Sequence, residues 1–235
     1  MAAPPHAGRF AEGRGRCQPA AMPQPVFPRH AASLILWRQR QNGATEILMG
    51  LRHAGLRFMP GHLVFPGGRV DWEDRTAPVA TPLAEPTRWA LERAAPPRLA
   101  RALAIAAARE LEEETGLTLA PPGAPGPALD VLRYVCRAVT PAAQRIRFNA
   151  RFLAAPAEAA RGTLTGSGEL ERLDWFTLEE ATAAPLAGIT ARVLDLFGAM
   201  MALPEAARAA RPLVCFHGLD RPRAERGDGG VPGGA

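Results

Sequence analysis

The sequence predicts a mixed α/β domain, on three observations. Short apolar runs bounded by turn residues recur between residues 32 and 176 and read as strands. Residues 98–115 (RLARALAIAAARELEEET) are strong helix formers throughout and run into Gly116, which suits a helix stop. A second helical stretch, at about 189–203, closes the domain.

The elements follow in order. Residues 32–37 (ASLILW) and 46–51 (EILMGL) form a predicted hairpin across the Asn42-Gly43 turn. Residues 62–65 (HLVF) are a short strand ended by the Pro66-Gly67-Gly68 turn. A proline-rich insertion spans about 74–97, with one short helix expected at 87–94. After the long helix, residues 121–127 (PPGAPGP) are a loop, and 131–139, 146–154 and 169–176 read as three further strands. The ordered domain is expected at 27–219, between disordered tails at 1–26 and 220–235 that are rich in Pro, Gly, Ala and Arg.

Composition excludes several classes. The chain has 235 residues, 47% hydrophobic and 22% charged, which is globular and not wholly disordered. No apolar stretch approaches the ~20 residues of a membrane span, and no signal-peptide core is present, so the expectation is a cytoplasmic protein with no membrane partner. The three cysteines, Cys17, Cys136 and Cys215, form no CxxC pair, which excludes a disulfide scaffold and a cysteine zinc site. The formal charge is +5, yet every basic residue besides histidine is Arg and no Arg-rich block with interleaved aromatics occurs, so no nucleic-acid partner is expected. Trp37, Trp72 and Trp175 are read as core, and His53 and His62 as surface or packing residues.

The informative segment is 109–117 (RELEEETGL), in which four of nine residues are glutamate. On a helix, Glu110, Glu113 and Glu114 stand at i, i+3 and i+4 and project from one side. Like charges this close repel, and they crowd the C-terminal end, where the helix dipole disfavours them. A solvated acidic face and a divalent-cation site are the two readings; Mg²⁺ is held by a few carboxylates, with water and substrate phosphate completing its octahedron.

This segment resembles the signature of the Nudix hydrolases, G-x5-E-x7-R-E-U-x-E-E-x-G-U. Arg109, Glu110, Leu111, Glu113, Glu114, Gly116 and Leu117 fill its second half, and Gly67 and Glu73 its first. The chain departs between the halves, where thirty-five residues (74–108) replace the family's seven. A second pattern, L-L-T-x-R-[SA]-x3-R-x3-G-x3-F-P-G-G, belongs to the family's coenzyme A diphosphatases. Residues 48–68 (LMGLRHAGLRFMPGHLVFPGG) place Arg52, Arg57, Gly61, Phe65, Pro66, Gly67 and Gly68 at its spacing, and depart at Met49, Gly50 and His53. The long insertion and the stretch 147–152 (RFNARF) are similar to the branch typified by the peroxisomal coenzyme A diphosphatase of animals.

The resemblance implies a Nudix α/β/α sandwich with a mixed β-sheet and an insertion before the catalytic helix. It implies a metal-dependent hydrolase that cleaves the diphosphate of coenzyme A or acyl-coenzyme A, with Mg²⁺ or Mn²⁺ as cofactor. Glu110, Glu113 and Glu114 are the implied metal ligands, and Arg109 orients a glutamate of the same helix. A downstream glutamate, Glu169 before Glu171, is the candidate general base. Arg52 and Arg57 are candidates for substrate phosphates, Gly67 and Gly68 for the loop that opens the site, and Gly67, Glu73 and Gly116 for the framework of the box. The partner is a small-molecule diphosphate, and a homodimer is left open. The alternatives are a diphosphatase of ADP-ribose, dinucleotides or nucleotide sugars, and a non-catalytic nucleotide-binding regulator.

Overall fold

A computed structural model describes residues 27–53, 55, 60–166, 168–220 and 222–225. The N-terminal tail expected at 1–26, and Ala54, Leu56, Arg57, Phe58 and Met59, lie outside these described residues.

The fold is built on strand β1 (Arg29–Gln39). It turns through Asn42-Gly43, where Asn42 Oδ1 accepts from the Ala44 amide, into antiparallel β2 (Thr45–Arg52). The short strands β3 (Leu63–Val64) and β4 (Gly67–Arg69) pair back on β2 and β1 respectively. The Gly67-Gly68 step is therefore a strand and not only the turn that the sequence predicts.

The insertion holds a 3₁₀ turn (Glu73–Arg75) and helix α1 (Glu85–Glu92). The long helix α2 (Pro97–Thr115) follows, then β5 (Leu117–Thr118). Strands β6 (Arg133–Val139) and β7 (Phe148–Pro156) form an antiparallel pair, and β7 runs parallel to β1 along nine residue pairs. The small strand β8 (Arg161–Gly162) pairs with β5, and β9 (Leu170–Thr177) lines the other edge of β2. Helices α3 (Leu178–Ala183), α4 (Gly188–Met201) and α5 (Glu205–Ala210) come next, and β10 (Val214–His217) and β11 (Arg223–Ala224) end the sheet.

The main sheet runs β11-β10-β6-β7-β1-β2-β3, with parallel contacts at β10/β6 and β7/β1 and antiparallel ones elsewhere. Alternation along β1 feeds two cores: Ala32, Leu34 and Leu36 face α1 and α2, while Ile35 faces α3 and α4. The result is a helix–sheet–helix sandwich. Residues 102–108 of α2 are all buried, five of them alanines. These small side chains let the helix lie close on the sheet while Leu103 and Leu111 anchor it. Each such leucine contributes about 2–3 kcal/mol by burial.

Two sequence expectations are corrected here. The domain does not stop at residue 219: β11 pairs with β10, and the buried Glu225 accepts a hydrogen bond from Tyr134 Oη at 2.5 Å and one from Arg137 Nη1 at 3.1 Å. A polar stretch joins the sheet because these partners satisfy its charge. Trp72 is not core: it is 74% exposed, with the Arg75 guanidinium 5.7 Å from its ring centroid. Its loop leaves the sheet directly after β4, so no element covers it. Among the described residues, no helix is long and apolar enough to cross a membrane.

Candidate active site

The site forms where α2 leaves the core. From Ala102 to Ala108 the helix is buried; from Arg109 onward one side meets β4 and the 3₁₀ turn. The helix ends at Gly116, whose φ of 73° lies in the left-handed region and whose amide closes on the Glu112 carbonyl at 2.9 Å. A side chain there would also stand 2.7 Å from the Thr163 carbonyl, so glycine is required twice over.

Glu114 turns into the protein. It is 3% exposed, and its Oε2 accepts the Gly67 amide at 2.8 Å. Burial, together with the Glu110 and Glu169 charges, pushes its carboxyl up to about 8 against the pull of that amide and of Arg52. Burial also raises Glu110, opposed by Arg109 and aided by Glu113 and Glu169. Glu113, the outermost, is bound by Arg109 Nη1 at 2.9 Å. Gly68 explains how Glu110 fits: a Cβ at residue 68 would strike the Glu110 carboxyl group. A Cβ at residue 67 would sit 2.6 Å from the Ala32 carbonyl oxygen, across the β1–β4 pairing.

Arg109 is the hub. It contacts Glu110 (3.0 Å), Glu113 (2.9 Å), the Arg69 carbonyl (2.9 Å) and both oxygens of Asp74 (3.0 and 3.1 Å). Burial works against its charge, but Asp74, Glu110 and Glu113 more than offset this and hold the guanidinium well above its ordinary value. Asp74 is 1% exposed and also accepts the Asp71 amide at 2.8 Å. Sequence reading missed it, because the box pattern points to Glu73. Glu73 is exposed, and only its backbone carbonyl acts in the turn, accepting from the Thr76 and Ala77 amides.

Glu169 enters from the opposite wall. It stands just before β9, held through its carbonyl by the His53 amide at 3.1 Å, and Arg52 Nη2 donates to its Oε1 at 2.8 Å. Arg52 therefore lies in the cleft, but against a carboxylate. Glu171 points elsewhere, 3.4 Å from the exposed His53 ring. Arg57 lies outside the described residues. The departures Met49 and Gly50 have packing reasons: Met49 is fully buried, and a Cβ at Gly50 would lie 2.9 Å from Leu170 Cβ.

Arg52, Gly67, Gly68, Arg109, Glu110, Glu113 and Glu169 share one cleft of about 780 Å³. Among the described residues, no three histidine, cysteine or acidic side chains are already drawn together as a metal cluster, and Arg109 bridges Glu110 and Glu113 instead. The donor set nevertheless fits a hard dication. It offers carboxylate oxygens only, and two of the carboxyls, Glu110 and Glu114, are raised by burial and by neighbouring carboxylates, an excess that a cation would offset.

A mixed-sheet sandwich whose acidic helix end faces a glycine strand across an open cleft is similar in fold to Nudix hydrolases of known structure. Residues 100–197 match the NUDIX domain family. A Nudix hydrolase from Alicyclobacillus acidocaldarius superposes with a TM-score of 0.59 at 22% identity, covering 83% of this chain and 99% of that one; at that identity it shows the fold. RenU, a Nudix hydrolase from M. smegmatis (TM-score 0.46, 20% identity, 76% and 90% covered), and a MutT Nudix hydrolase from Burkholderia pseudomallei (0.46, 23%, 73% and 98%) are also similar. Comparison with curated proteins gives no match.

Proposed function

We propose that this protein hydrolyses the diphosphate bond of coenzyme A or acyl-coenzyme A, giving 3′,5′-ADP and 4′-phosphopantetheine or its acyl form. The observation that supports this most is the meeting of both sequence patterns in one cleft: Arg52 and the Gly67-Gly68 strand stand beside Glu110 and Glu113.

In this reading Glu110, Glu113 and Glu114 hold Mg²⁺ or Mn²⁺, which supplies Lewis acidity to a polyanionic substrate when bound. The side chains do the rest. Arg109, tied to Asp74, holds Glu110 and Glu113 in place. Gly67 fixes Glu114 through its amide. Glu169 lines the cleft, near enough to Glu110 and Glu114 to act on their charge, and is the group to take the proton of the attacking water. That water's oxygen joins one phosphorus, the bridging P–O bond breaks, and the other phosphate leaves on its own half of the molecule. Arg52 lines the cleft as a cation for a substrate phosphate, and such a contact would exchange with its bond to Glu169.

The test is product-resolved hydrolysis of coenzyme A, acetyl-coenzyme A, ADP-ribose, NADH and a nucleoside triphosphate with Mg²⁺ or Mn²⁺, beside Glu113→Gln. Release of 3′,5′-ADP that is lost in the variant is the expected result. Turnover of ADP-ribose or NADH alone would keep a Nudix mechanism and discard coenzyme A.

A further inference from the structure

The cleft is far larger than a diphosphate, and its two ends differ in kind. The arginines and acids that line it all stand at one end, on or beside β2, β4, α2 and the start of β9. The far half is walled by β6, β7, the first turn of α4 and the turn after β10, and none of its lining residues is charged. Its surface is apolar (Ile146, Phe148, Phe152, Ile189, Leu219), varied only by the neutral polar groups of Thr140, Gln144 and Thr190.

Two of the large apolar side chains left open to solvent stand here. Ile146 is 42% exposed and Leu219 is 62% exposed. Leu219 lies over Gly188, where a Cβ would come within 2.8 Å of its Cδ2, so the lip of the gallery is packed against the start of α4. Apolar surface concentrated in a concavity marks a ligand site more than scattered exposed leucines do.

We propose that this uncharged gallery takes the neutral arm of the substrate, so that the pantetheine chain and its acyl group lie along it and the enzyme selects thioesters with longer apolar chains. The inference rests on the coenzyme A reading above. The chemistry of the two ends argues for this orientation. The nucleotide end of coenzyme A carries a 3′-phosphate, and burying that dianion against the side chains of Phe148, Ile189 and Leu219 would strip its water, while Arg147 and Arg192 nearby are engaged with the Thr140 and Leu219 carbonyls. The pantetheine arm carries no charge, and its amides match Thr140, Gln144 and Thr190. The phosphorylated nucleotide then lies toward the arginine end, by Arg52 and Arg69.

The experiment is kcat/KM for coenzyme A and its acetyl, butanoyl and octanoyl thioesters with Mn²⁺, in the wild type, Leu219→Asp, Ile146→Asp and Leu203→Asp, with ADP-ribose alongside. Leu203 is 38% exposed and lies outside the cleft, so its variant controls for added surface charge. The wild type should favour octanoyl over acetyl by at least about tenfold, a modest share of what burying six methylenes can supply. The gallery variants should flatten that slope, losing about tenfold on octanoyl and less on acetyl, while Leu203→Asp keeps the wild-type slope. Coenzyme A hydrolysis that is indifferent to chain length overturns the gallery and leaves the coenzyme A reading standing. A slope unchanged in both lip variants overturns it too. Cleavage of ADP-ribose with no thioester cleaved overturns both.

Discussion

Glu114→Gln should stabilise the metal-free protein at alkaline pH although it removes a residue of the box. The wild-type carboxyl is buried, and its value stands at about 8 against 4.5 for an ordinary glutamate. Between those pH values the folded state binds a proton that the unfolded state has lost. Stability is therefore full below 4.5, falls as pH rises, and has lost this contribution above about 8. At about 1.4 kcal/mol per pH unit, the interval is worth on the order of 4–5 kcal/mol. A glutamine keeps an oxygen for the Gly67 amide and turns its own N–H groups toward the neighbouring carboxylates, so it escapes the penalty without a new unpaired group. For a chain of this length that corresponds to roughly 8–20 °C in Tm. The assay is thermal unfolding in chelator at pH 5 and pH 8.5. The two proteins should melt together at pH 5, and the variant should melt higher at pH 8.5. With saturating Mn²⁺ the order should reverse, because a ligand that binds the native state stabilises by mass action and the variant has lost one donor. A Glu114→Gln protein that melts below the wild type in chelator at pH 8.5, or a constant gap at both pH values, would refute the account of this carboxyl.

Other outcomes follow from the same geometry. Gly68→Ala should lower kcat by about 100-fold or more with a stability cost near 1–2 kcal/mol, because the added methyl displaces only the Glu110 carboxyl; steady-state kinetics and urea titration separate the two effects. Asp74→Ala should cost about 3 kcal/mol by leaving Arg109 short of its buried partner, and the loss should exceed that of Glu73→Ala, which should stay within ~0.5 kcal/mol when both are measured by urea unfolding. Arg151→Met should cost about 3 kcal/mol in the same assay, since Arg151 is 1% exposed and its guanidinium joins Asn149 on β7 to the Ala94 carbonyl beyond α1. Arg52→Gln should weaken both kcat and substrate affinity, while Glu169→Gln should act mainly on kcat; a Glu169→Gln enzyme with wild-type kcat would remove that residue from the chemistry.

The fold was largely legible because its elements carry local signals. Alternating apolar residues mark β1 and β2, and the alanine-rich run ending at Gly116 marks α2. What escaped notice was set by contacts distant in sequence. The strand at Gly67–Arg69 has too few apolar residues to announce itself, and it exists because β1 offers it a ladder. β11 is the dipeptide Arg223-Ala224, too short to carry a pattern, paired with β10 and followed by the buried Glu225. At the site, the spacing within one helix puts Glu110, Glu113 and Glu114 on one side, since helix geometry is local, but does not tell that Glu110 and Glu113 line the cleft while Glu114 turns inward. Asp74 could not be picked out from Glu73 beside it, because only the three-dimensional turn decides which of two adjacent acids faces Arg109. The pairing of Arg52 with Glu169 spans 117 residues and left no trace in spacing.

The Arg109–Asp74 contact has one more consequence. It closes the long loop at its base, and with the Gly67 amide on Glu114 it brings the two halves of the signature together in space however much chain is threaded between them. Lengthening such a loop adds little entropy cost, since closure grows only with the logarithm of length. The box is thus a neighbourhood rather than a string. A text pattern with a fixed gap would read only its second half in this chain, and the family match indeed begins at residue 100, past the insertion. Searches for relatives with similarly split signatures would do better to seek an acid that meets the helix arginine from any distance along the sequence.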